Sequence, residues 1–244
     1  MSLFKRKRDS PVSADQTDRV EAGTDLEDGD AGAEIDRVEA SDLDLIPAPD
    51  EGAAEEGADQ IVSDSRWPIV PLVQPADWLD RLKSQLDDPQ WWPLTEDLPH
   101  GLKLAFAFDL PDSFELISPR QAKAAGLSPA QVGAAARATL DQLCTGIERQ
   151  GNAGRYRIEL PGHPELTASL ILNTASWLNP DDIAGDPVLA IARRDLMHVC
   201  GRDDAGSTAG LAALNQSLFE DDDAGSKKLH PGLLTVTAGQ LRPL

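Results

Sequence analysis

Two cysteines, one tyrosine and five phenylalanines occur in 244 residues. The cysteines, Cys144 and Cys200, are far apart and form no CxxC pair. A disulfide framework is therefore excluded, and reduced thiols in the cytoplasm are the expectation. No apolar run reaches the roughly 18 residues a membrane span needs. No apolar stretch follows the basic start Met1 to Arg8, so no secretory signal peptide is read there. Basic residues are also scarce: 22 against 42 acidic ones, a formal net charge of −20. Nucleic-acid binding needs a basic footprint and is not expected. GxSxG, HExxH, a P-loop and paired CxxC motifs are all missing.

The acidity is uneven. Residues 1–65 hold 19 acidic and 6 basic residues, whereas residues 66–244 hold 23 and 16. From Asp9 to Ser65 there is no aromatic residue at all. Such a stretch cannot bury enough apolar surface to offset a backbone ordering cost of roughly 1–2 kcal/mol per residue. The expectation is a disordered acidic tail over 1–65 and one domain over 66–244.

Within the tail, Asp18-Arg19-Val20-Glu21-Ala22 recurs as Asp36-Arg37-Val38-Glu39-Ala40, and the second copy runs into Asp42-Leu43-Asp44-Leu45-Ile46. A docking motif used twice and local duplication of low-complexity sequence both account for the repeat, and duplication requires less. Residues 2–8 join Leu3 and Phe4 to four cations. Contact with an anionic membrane surface, at about 1 kcal/mol per cation, is a minor reading because the acids that follow compete for the patch.

After the tail the text changes. Trp67, Trp78, Trp91 and Trp92 are clustered, and Trp78, Leu79, Leu82 and Leu86 recur at helical spacing. Pro93 to Pro99 reads as loop. Leu102, Leu104, Phe106 and Phe108 alternate with Lys103, Ala105 and Ala107, which predicts a strand, and Phe114 to Ile117 a partner strand. Ser118-Pro119 opens a short helix. Ser128-Pro129-x-Gln131 predicts a capped longer one carrying Val132, Ala136, Leu140, Leu143 and Ile147 on one face, with Gly133 marking close packing. Gly151 to Gly154 reads as loop and Arg155 to Leu160 as a strand. Thr167 to Leu178 is expected as helix. Val188 to Ala192 and Leu196 to Cys200 are expected as strands around Arg193-Arg194-Asp195. A helix through Leu211, Leu214 and Leu218 and a last strand over Leu233 to Thr237 follow. The order predicts a single α+β domain with a mixed or mostly antiparallel sheet packed with helices.

Three stretches resemble the YtpQ-like family of bacterial proteins over residues 69–244. They are Trp92-Pro93-Leu94 with Leu102 to Asp109, Gly126 to Leu140, and Ala168 to Leu172 with Gly185 to Leu196. The last is the most specific. Ala192 and Thr139 depart from the family pattern, which usually has Pro and Asn there. The resemblance implies a shared α+β fold and no particular reaction.

Candidate sites are few. Arg194 and Asp195 sit where a turn exposes side chains, either as an anion or partner contact or as an ion pair closing a hairpin. His198 shares a strand face with Leu196 and Cys200, as a weak nucleophile couple or as plain core. Two ligands are too few for zinc, and His100, His163 and His230 show no ligand spacing. Asp186, Asp195 and Asp203 could in principle pair as carboxylates, and Asp221-Asp222-Asp223 reads as a solvated loop, not a calcium site. No metal or cofactor is called. The leading function is a non-catalytic protein-binding module, with Trp67, Trp91, Trp92, Leu43 and Leu45 as partner contacts. Alternatives are an enzyme with a pocket near Arg194, Asp195 and His198, and an acidic polyanion mimic.

Overall fold

The computed structural model describes residues 4–5, 67–86 and 88–244. The expected acidic tail, its repeat, Leu43, Leu45 and all of the basic patch except Phe4 and Lys5 lie outside the described residues. No helix among those described is long and apolar enough to cross a membrane.

In chain order the elements are β1 (Phe4–Lys5), β2 (Ile69–Gln74), α1 (Trp78–Lys83), β3 (Thr95–Asp97), β4 (Lys103–Asp109) and β5 (Ser113–Leu116). There follow α2 (Pro119–Ala124), α3 (Pro129–Leu143), β6 (Glu148–Asn152), β7 (Arg155–Glu159), a 3₁₀ segment Pro164–Asn173 and α4 (Thr174–Trp177). The chain closes with β8 (Pro187–Arg193), β9 (Leu196–Gly201), α5 (Ala205–Glu220), β10 (Leu233–Thr237) and β11 (Gln240–Pro243). Every strand pair is antiparallel. The fold is α+β, as the order of sequence patterns predicts.

The strands form two sheets. In the first the order is β1-β5-β4-β2, with β3 also on β4. β2 fills one edge of β4 from Lys103 to Phe108, so β3 and β5 share the other edge. The second sheet runs β11-β10-β8-β9-β7-β6. The main core lies between them. Leu104, Phe106 and Phe108 of β4 meet Leu189 and Ile191 of β8 and Met197 and Val199 of β9 in one buried cluster. Helix α3 adds Val132, Ala136 and Leu140; it ends at Leu143, short of the expected Ile147, which follows a 3₁₀ turn in extended conformation. Its capping box joins Ser128 and Gln131 with Pro129 in the first turn. A Cβ on Gly133 would stand 3.0 Å from Glu96 Oε1 and 3.6 Å from the Phe106 ring, which explains the glycine there.

The other faces are covered separately. On β4 the small Ala105 makes room for Trp78 and Leu82 of α1. On the second sheet, Val188, Ala190 and Cys200 lie under Leu211 of α5.

The structure departs from the sequence expectations in four places. β2 lies in a stretch given no element, because all six of its residues are buried and no alternation shows. β3 lies within the expected Pro93–Pro99 loop. β6 is exposed at every position and is strand only through its pairing with β7. β11 follows the strand expected to be the last and is exposed at three of its four positions. Thr167 to Leu178 is helical through Trp177, as expected, in 3₁₀ form to Asn173 and α-helical in the short α4, with Leu166 to Ile171 buried in succession. In addition, Phe4–Lys5, inside the expected tail, pair with Ser113 and Phe114 at the edge of the first sheet.

Candidate functional site: a cleft beside α1

Arg194 and Asp195 form the turn between β8 and β9, and they face different surroundings. Arg194 is a buried cation. Its Nη2 donates to Oε1 of Gln74 at 3.0 Å, and Gln74, the last residue of β2, has no exposed surface. Burial pulls the Arg194 guanidinium below its ordinary value, while the charges of Glu165 and then Asp195 oppose that pull. The backbone of Arg194 is fixed on both sides. Its N–H donates to Lys227 O at 2.8 Å, and its carbonyl accepts from Ala168 N at 3.0 Å.

Asp195 pairs elsewhere. Arg193 Nε and Nη2 donate to its two oxygens at 3.2 and 3.3 Å, and Lys227 Nζ donates at 2.6 Å. Burial works to raise its carboxyl, but the hydrogen bonds from Lys227 and Arg193 outweigh this and hold it below the usual value. Arg193 thus makes side-chain hydrogen bonds that close this hairpin.

His198 lies farther along β9. It is the third residue of the strand, whereas Arg194 sits in the turn before it. It pairs in register with Arg157 of β7 and lines a groove of about 260 Å³ with Arg155, Arg157, Cys200 and Leu214. Burial lowers the imidazole, the Arg157 charge adds to this, and Glu159 opposes it. Arg194 instead reaches toward Gln74 in the first sheet. The pocket expected from Arg194, Asp195 and His198 is therefore divided: two of them line different cavities, and the third is held by Arg193 and Lys227.

The thiols are packed. Burial first, and the nearby Asp141 second, push Cys144 up to about 11. Burial also raises Cys200, whose Sγ lies 3.9 Å from Thr208 Oγ1. Among the described residues no group of three or more His, Cys, Asp or Glu is arranged to hold a metal ion.

Of the tryptophans, Trp67 is 38% exposed. Trp91 and Trp92 are half-buried, and cations sit on their rings: Arg120 at 4.9 Å from the Trp91 centroid and Lys83 Nζ at 4.4 Å from that of Trp92.

Arg194 also lines a cleft of about 650 Å³. One wall is the turn after β2 and helix α1, with Asp77, Trp78, Arg81 and Leu82. The opposite wall is Arg194, Phe219 at the end of α5, and the segment through Lys228 and His230. That second wall is anchored by Asn215. Its Oδ1 accepts from Ala192 N at 2.7 Å, and its Nδ2 donates to Pro231 O at 2.7 Å. His230 stacks on His100 with centroids 4.3 Å apart.

Three cations line this cleft with one carboxylate, Asp77: Arg81 and Lys228 at its surface and Arg194 buried, with Asp222 3.8 Å from Lys228 Nζ and the charges of Glu165 and Asp195 acting on Arg194. Arg81 is itself paired with Asp77 at 3.3 Å, but both side chains are mostly exposed, and pairs of that kind contribute little. Trp78, Leu82 and Phe219 supply apolar surface. The arrangement fits an acidic segment with apolar side chains. Reading the sequence missed Gln74, Lys228 and Asn215. Gln74 gives no local signal because β2 itself gives none, and the other two matter only once distant elements meet.

Comparison with protein-family models, with curated proteins and with solved structures found no match.

Proposed function

We propose that this protein is a non-catalytic binding module whose α1 cleft takes an acidic, apolar-bearing segment of a protein partner. The observation that carries the reading is the pairing of positive charge with aromatic surface in one cleft, on a chain whose overall charge is −20. Desolvated aromatic anchors and opposite charge are what interfaces use for affinity and orientation. An enzymatic reading has weaker support, because proton transfer needs hydrogen-bond reach or one bridging water, and Arg194 and His198 line separate cavities. The resemblance to YtpQ-like proteins belongs with this proposal: its most specific block, Gly185 to Leu196, forms β8 and the turn that carries Arg194.

The test uses fluorescein-labelled heptapeptides in which Leu or Ile alternates with Asp or Glu, with Lys-substituted controls. The expected result is anisotropy-detected binding of the acidic set alone, weakened at least tenfold by Arg81→Glu with Lys228→Glu. Binding that ignores charge reversal, or no binding by any acidic peptide, overturns the reading.

A further inference from the structure

The cleft has a matching ligand within the same chain. β1 ends at Lys5 and β2 begins at Ile69, and both strands belong to the first sheet. The intervening sequence is therefore tethered at both ends to the body that carries the cleft. Its C-terminal tether is also close in sequence, since the cleft wall begins at Pro75, directly after β2.

The composition of that sequence complements the cleft. Residues 9–65 carry 19 acids and 2 bases. Their densest apolar cluster is Leu43, Leu45 and Ile46, interleaved with Asp42 and Asp44. The cleft presents Arg81 and Lys228 to the carboxylates and Phe219 to the apolar side chains, above a buried floor of Arg194, Trp78 and Leu82. Length is no obstacle. Twenty-odd residues lie between Ile46 and Pro68, a span of up to about 70 Å when extended, whereas a domain of this size is roughly 40 Å across.

We infer that Asp42 to Ile46 docks in the cleft between α1 and the Lys228–His230 wall, and so competes with a partner for it. The inference rests on the cleft reading above. A segment on such a tether presents itself at an effective concentration on the order of millimolar. Weak contact suffices to keep the cleft occupied until a tighter ligand arrives. The interleaved carboxylates would set orientation and on-rate, and the Leu and Ile side chains the residence.

The experiment uses the full chain and a full-length variant, Leu43→Ser with Leu45→Ser and Ile46→Ser, which retains every charge. The probe is a fluorescein-labelled peptide of residues 41–47, added in trans. Two quantities are read: peptide affinity by anisotropy, and amide exchange across α1. The expected result is peptide binding about tenfold tighter on the variant than on the native chain, because the intramolecular competitor is gone, with faster exchange at Trp78 to Leu82. Equal affinity and equal exchange overturn self-docking while leaving the cleft a peptide site. Faster exchange in the variant without binding of any peptide in trans means that the cleft serves only its own tail, and the partner reading falls instead. No peptide binding and unchanged exchange overturn both.

Discussion

Gln74 and Arg194, 120 residues apart in sequence, are joined by a buried hydrogen bond of 3.0 Å from Nη2 to Oε1. One closes β2 in the first sheet, and the other turns the β8–β9 hairpin in the second. The bond joins the two sheets behind the cleft that Arg194 lines.

The first prediction concerns that bond. Hydrogen bonds to charged groups are worth roughly 1.5–3 kcal/mol, and a buried group that loses its partner bears the desolvation cost. Gln74→Leu and Arg194→Met should each lower stability by about that amount in urea unfolding. The double variant should lose less than the sum, with a coupling of about 0.5–3 kcal/mol. Strict additivity would show that the bond carries no weight.

How far the sequence announced this fold depends on which residues carried a two-sided pattern. β4 was legible because Leu104, Phe106 and Phe108 face the core while Ala105 lies opposite under Trp78. α3 was legible because its capping box is written in four consecutive residues. β2 was not, since burial on both faces erases alternation and Pro71 argues against a strand interior. That proline is tolerated because β2 is an edge strand of the first sheet, and its carbonyl accepts from Ser169 Oγ at 2.8 Å on the adjoining 3₁₀ segment. β6 and β11 are polar edge strands whose pairing partners alone define them. The site followed the same rule. Arg194 stood out locally as a turn cation, but its true partner, Gln74, lies in the strand that sequence pattern could not show.

The second prediction is a pH dependence. Burial lowers His198 and His230 below the usual 6.5; for His230 the neighbouring His100 adds to the effect. The unfolded chain then takes up protons before the folded one as pH falls. Stability from these groups is present above about 6.5 and is lost as pH drops from there through the folded values. Asp195 acts in a separate, lower window, because its folded value lies below 3.8. The urea midpoint should therefore fall between pH 7.5 and 5. Replacing His198 by Gln and His230 by Asn should flatten that slope. A slope unchanged by both substitutions would place the linkage elsewhere.

The third prediction concerns Asn215, which is 1% exposed. Its side chain satisfies Ala192 N and accepted positions on the 230–232 turn, at Pro231 O and at Gly232 O 3.1 Å away. Leucine at this position would strand those backbone groups, at about 1–3 kcal/mol for each one left buried. Asn215→Leu should lower the unfolding free energy by at least that much. It should also weaken cleft-peptide binding, because the Lys228–His230 wall loses its anchor. Asn215→Asp at neutral pH keeps the acceptor but not the donor, and should restore only the Ala192 contact. Full stability in Asn215→Leu would mean that the wall is held by its other contacts.

The last prediction uses the thiols as reporters. Only the thiolate attacks a disulfide reagent. Cys144 is pushed up to about 11 and Cys200 is also raised. Both are buried as well, at 9% and 1% exposure. At pH 8 the folded protein should therefore react with an aromatic disulfide reagent far more slowly than a free thiol near 8.5. In urea the two thiols should become reactive together with global unfolding, since each lies in a packed cluster: Cys144 in the main core and Cys200 under Leu211. Early labelling of Cys200 alone, at urea concentrations that leave Cys144 protected, would show that α5 lifts from the second sheet before the core opens. That result would make the Phe219 side of the cleft a mobile wall instead of a fixed one.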